Sequence, residues 1–127
     1  MKFKDLLGIL LQERGIREGD RELVLRPDYS RLHDPMLMPD MEKARDRVIA
    51  AISKGEKIMI FSDYDADGIP GAVVLSDFFR RAKYEEVMFY IPHRHDEGFG
   101  LNSEAIDKAS GAGVKLLITI DCGVADI

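Results

Sequence analysis

Apolar positions along the chain change period several times, and the changes mark its elements. Over residues 3–13, Phe3, Leu6, Leu7, Leu10 and Leu11 recur at helical spacing on one face, and Gly15 offers a stop. Residues 16–37 lose that period and carry Pro27 and Pro35. They read as a surface-hugging connector with one short extended piece at Leu23-Val24-Leu25. After Pro39-Asp40 the helical period returns with Met41, Ala44, Val48 and Ala51/Ile52, closing at Gly55. The texture then turns to short β-type runs: Lys57–Phe61, Val87–Ile91 and Leu116–Ile120. Helical patterns over about 69–82 and 103–110 separate them, the second with Asn102 or Ser103 as cap and Gly111/Gly113 as stop. Strand–helix–strand–helix–strand with near-continuous apolar strands predicts an α/β fold. Its form is a three-layer, Rossmann-like parallel sheet with helices on both faces, preceded by a helical preface. The pattern divides the chain into a helical and extended preface, 1–55, and a sheet domain, 56–127.

Parallel strands joined by right-handed crossovers put their C-terminal ends on one rim, where open α/β sheets bind ligands. Ser62-Asp63-Tyr64-Asp65-Ala66-Asp67-Gly68 follows the first strand, His93-Arg94-His95-Asp96-Glu97-Gly98 the second and Asp121-Cys122-Gly123 the third. Asp63, Asp65 and Asp67 alternate within one loop, and such close like charges repel. Alternate carboxylates suit a hard divalent cation, and Asp121 reaches the same rim independently. The bland alternative is a solvated acidic turn, in which Asp and Gly are common.

Composition narrows the classes. With 18 Lys+Arg against 23 Asp+Glu the net charge is −5, and 46% hydrophobic with 32% charged residues describes a soluble globular chain. The acidic balance argues against gross electrostatic capture of nucleic acid, but bound divalent ions reverse the local sign. The single cysteine, Cys122, forbids an internal disulfide and fits a reducing, cytoplasmic setting. It reads as a packing residue. No apolar run approaches the roughly 18–20 residues of a membrane span, so no membrane partner is expected.

Several motifs share the aspartate pattern. An EF-hand loop opens Asp-x-Asp-x-Asp-Gly but needs Glu at its twelfth position, which here is Val74, and a helix before it. Receiver domains need five strands in this length. Asp65-Ala66-Asp67-Gly68 after a strand also resembles the haloacid-dehalogenase-type phosphatases, with Asp65 as nucleophile and Asp67 as general acid. A non-catalytic nucleic-acid-binding or scaffold module is a further alternative.

A longer series of blocks resembles the RecJ single-strand-specific exonucleases of the DHH phosphoesterase superfamily. The blocks are Leu32-His33-Asp34-Pro35-x-Leu37-Met38-Pro39-Asp40-Met41-x-Lys43-Ala44, Ile60-Phe61-Ser62-Asp63-Tyr64-Asp65-Ala66-Asp67-Gly68, Ile91-Pro92-His93-Arg94-x5-Gly100-Leu101-Asn102 and Ile118-Thr119-Ile120-Asp121-Cys122-Gly123. They run in order from about Arg14 onward. Ser62 and Phe99 depart from the usual Gly and Tyr. The resemblance implies a Mn²⁺- or Mg²⁺-dependent 5′→3′ exonuclease that hydrolyses single-stranded DNA, in the setting of DNA repair and recombination. It puts Asp65 and Asp67 on metal-ligand positions, Asp63 beside them and Asp121 on a carboxylate that bridges a two-metal site. Catalysis would run through Asp65, Asp67 and Asp121 by way of the metals. Arg94 falls in a block near the substrate path, where it would grip a phosphate or else pair with Asp96 or Glu97. Gly68, with Gly71 and Ala72, would let a phosphate approach the helix start or simply form a tight turn. The Asp-His-His motif and the second subdomain of that family do not occur in these residues. The chain is therefore expected to be an N-terminal fragment, inactive or nearly so alone. His93 and His95 read as solvated loop histidines, His33 as a turn residue, and Arg80, Arg81 and Lys83 as a basic helix end.

Overall fold

The computed structural model describes residues 3–123. Two compact units divide them, Met1–Met41 and Glu42–Ile127. The first holds α1 (Phe3–Glu13), a short α2 (Arg21–Leu25) and three single 3₁₀ turns. Gly15 ends α1 with φ +68°, as its spacing predicts. Asp28 and Asp34 start two of the turns, their Oδ1 atoms accepting from Ser30 N (2.7 Å) and Met36 N (2.9 Å). Leu23-Val24-Leu25 is helical, not extended. An isolated three-residue apolar run has no strand to pair with, so its backbone closes on itself, with Arg26 N–H donating to Glu22 C=O at 2.9 Å.

The second unit carries α3 (Met41–Lys54), β1 (Ile58–Ser62), α4 (Gly68–Arg81), β2 (Val87–Tyr90), α5 (Ser103–Gly111) and β3 (Leu116–Ile120). The strands form one parallel sheet in the order β2-β1-β3, with Ile60 opposite Phe89 and Ile118. It is an α/β fold with helices on both faces. Alternation along β1 divides the core: Met59 and Phe61 pack with Tyr90 and with Ala105 and Ala109 of α5. Ile58 and Ile60 pack with Ala51 of α3 and Phe79 of α4. Helix α3 thus packs with the sheet in the second compact unit. All five residues of β1 are buried, whereas β3 is only half-buried with Thr119 exposed. Full cover on both faces, expected for all three strands, holds for the central one alone, because the flanking strands are edges here.

Phe61 stacks on Tyr90 with ring centroids 5.6 Å apart. Phe61→Ala removes that contact and opens a cavity beneath the rim. It should lower unfolding free energy by about 3–5 kcal/mol, read as a shift of the urea midpoint.

Candidate metal centre

The rim is built by the residues that leave β1 and β3. Asp63 N–H donates to Ile120 C=O at 3.2 Å, which continues the β1–β3 ladder one residue past the end of β1. Asp121 follows at φ +57°, a left-handed conformation that Asp tolerates better than most residues. Asp63, Asp65 and Asp121 each bring a carboxylate oxygen within 4.8 Å of the others. Chain order reverses direction between β1 and β3, and this crevice is where a parallel sheet of this order presents a ligand site.

Asp65 is held by its own loop. Its Oδ1 accepts from Asp67 N (2.9 Å) and Gly68 N (3.0 Å), and those bonds hold its carboxyl below the usual carboxylate range. The same bonds cap the start of α4. Asp121 moves the opposite way, raised first by desolvation and then by the charge of Asp65, with Asp67 and Asp63 adding to it. One carboxylate of the facing pair stays ionised while its neighbour is pushed toward the proton. Hard oxygen donors at this spacing fit a divalent cation.

Asp67, expected among the ligands, stands outside the group of three. It contributes its backbone N–H to Asp65 and its charge to the field on Asp121. Gly68 is buried, and a Cβ there would meet Asp63 O at 2.3 Å. Its N–H, which a phosphate would need, is already engaged by Asp65 Oδ1. The residue is demanded by close backbone approach, in keeping with the tight-turn expectation. Gly71 does a related task, since a Cβ there would meet Ile120 Cγ2 at 2.6 Å.

Arg94 is brought to the rim. Its guanidinium lies over the Tyr64 ring, 5.0 Å from the centroid, and its charge helps lower Asp65. It pairs with neither Asp96 nor Glu97: His93 Nδ1 takes Asp96 at 2.7 Å, and the Tyr90 hydroxyl takes Glu97. Phe99 is 80% exposed and tilts against Tyr64 with centroids 6.0 Å apart. That aromatic pair was missed as a functional feature; the alternation of Tyr64 with the aspartates was its only signal. Cys122 is half-buried, its Sγ donating to Ile120 O at 3.1 Å, and burial pushes the thiol up. It packs against the α5-side core, as a structural cysteine does.

A parallel α/β sheet with carboxylates converging from two strand ends is an arrangement that could hold a metal ion. Residues 57–127 match the DHH family, N-terminal domain, more than half of the chain, and the chain belongs to that family. It is 38% identical over 123 residues to the single-stranded-DNA-specific exonuclease RecJ of Bacillus subtilis (strain 168), covering 96% of this chain and 16% of that protein. RecJ of Escherichia coli (strain K12) is 27% identical over 120 residues, covering 94% and 20%. The crystal structure of exonuclease RecJ bound to manganese matches at TM-score 0.60 and 31% identity, over 66% of this chain and 21% of that one. The chain thus spans 16–20% of the length of these curated relatives. No described helix is long and apolar enough to cross a membrane.

Gly68→Ala forces Asp63 O aside, and neither atom is the end of a flexible chain. It should cost about 1–3 kcal/mol of stability and weaken Mn²⁺ binding, measured by urea unfolding and calorimetric titration. Gly71→Ala meets only a side chain and should be milder on both readouts.

Proposed function

We propose that this chain forms the first part of the metal site of a divalent-metal-dependent exonuclease that hydrolyses single-stranded DNA from the 5′ end. The convergence of Asp63, Asp65 and Asp121 across the β1–β3 crevice carries the reading. Its support from outside the chain is membership of the DHH family and likeness to a RecJ bound to manganese. The haloacid-dehalogenase-type alternative needs Asp65 and Asp67 as the working pair. Here Asp121, not Asp67, faces Asp65, and the family is DHH.

Asp63, Asp65 and Asp121 would hold Mn²⁺ or Mg²⁺, with the charge of Asp67 on the same rim. Divalent ions held there would supply an activated water and charge stabilisation for phosphodiester hydrolysis. The protein's own residues do the placing. The loop N–H groups keep Asp65 ionised and fixed in direction, and the left-handed turn at Asp121 delivers the opposing carboxylate. Arg94 is the candidate phosphate contact, because a guanidinium grips two phosphate oxygens at once. Tyr64 and Phe99 offer a stacking face that accepts any base and favours unpaired strands. Among the described residues only three carboxylates cluster, a sparse set of protein ligands for two ions. The 127-residue chain by itself is therefore expected to bind metal weakly and to show little or no hydrolysis.

Calorimetry with MnCl₂ should detect binding to the chain that Asp65→Ala and Asp121→Ala remove. Within a protein that carries these residues and a full ligand set, Asp65→Ala should abolish Mn²⁺-dependent release of mononucleotides from 5′-labelled single strands. The loss should exceed the roughly 10–100-fold cost of altering an outer-shell partner. Unchanged digestion would sink the reading. Phe99→Ala should raise KM by the equivalent of about 1–3 kcal/mol, one lost base stack, with kcat largely kept.

A further inference from the structure

Arg94 lies on an exposed turn, yet its guanidinium is set in one place, over the Tyr64 ring at 5.0 Å from the centroid. A surface arginine on a free loop samples many rotamers, so something must hold the turn. Glu97 closes it at both ends. Its backbone N–H donates to His93 C=O (2.9 Å), as does that of Asp96 (3.1 Å), and its Oε1 accepts from His93 N at 2.9 Å. Its Oε2 takes the hydroxyl of Tyr90, a buried ring of β2 stacked on Phe61 of β1. From α5, Lys108 Nζ donates to the same hydroxyl (3.1 Å), lies 4.7 Å from the ring centroid and is itself paired with Glu104 at 3.1 Å. One carboxylate therefore ties the loop that carries Arg94 to β2 and, through the Tyr90–Phe61 stack, to the central strand.

We infer that Glu97 is a positioning residue: through His93 N–H and the Tyr90 hydroxyl it fixes the 93–98 turn so that Arg94 stands over Tyr64 beside the carboxylate rim. This deepens the phosphate role proposed for Arg94 and rests on that reading for its consequence, though not for its geometry. A fixed guanidinium meets an anion without first losing rotamer freedom. That preorganisation is worth about three- to tenfold in affinity for one long side chain.

The test uses the isotope-labelled chain without metal or DNA. The Arg94 Nε–H signal should carry a ring-current shift from Tyr64, identified because Tyr64→Leu abolishes it. Glu97→Ala should abolish it too, while the amide signals of β1 and β3 stay in place, and Glu97→Gln, which keeps an acceptor for His93 N–H, should restore part of it. An unshifted dependence, with Arg94 still over the ring in Glu97→Ala, overturns the inference. Should that variant lose the β1 signals, Tyr90→Phe decides: it keeps the stack on Phe61 and removes only the hydroxyl. An unchanged Arg94 signal there overturns the inference equally. Titration with inorganic phosphate then separates the two claims. Weaker binding in Glu97→Ala, by about three- to tenfold, supports both; phosphate that leaves Arg94 unmoved in the wild type removes the phosphate role and leaves the positioning result standing.

Discussion

Like charges are forced together at the rim because the backbone leaves them no alternative. The hydrogen bond from Asp63 N–H to Ile120 C=O continues the parallel ladder one residue past the end of β1, so the exits of β1 and β3 cannot separate. Gly68 then lets the chain turn back within 2.3 Å, measured to an added Cβ, of Asp63 O, and the turn's N–H groups fix Asp65. The repulsion is carried by the fully buried strand behind it, whose apolar residues favour the folded state by about 1.5–3 kcal/mol each.

The core and the site share atoms to an unusual degree. Phe61 and Tyr90 are core rings, but the hydroxyl of Tyr90 leaves the core to hold Glu97 and, through it, the loop bearing Arg94. Ile120 packs in the α4-side core, and its carbonyl holds Asp63 while its side chain leaves room only for glycine at position 71. Substitutions that alter packing at these positions therefore act on the rim as well as on stability.

Much of this was legible from the residues. Short, near-continuous apolar runs at 57–61, 87–91 and 116–120 located the strands to within a residue, and the alternating aspartates with Asp121 located the rim. Leu23–Leu25 misled because three apolar residues carry no period, and local hydrogen bonds decided for helix. Asp67 looked equivalent to Asp63 and Asp65 in spacing, but it lies where α4 begins, and the helical turn takes its carboxylate out of the cluster.

By itself, the sequence determined which residue types could meet a divalent ion and a phosphate, since spacing along a strand exit sets which carboxylates leave the sheet together. Only the tertiary structure decided which of them converge, what Gly68 is for and where Arg94 points. Those answers depend on contacts between residues distant along the chain: Asp63 with Ile120, Asp65 with Asp121, and Glu97 with the core through Tyr90. A periodicity records which face a residue occupies. It holds no record of which other strand end lies opposite.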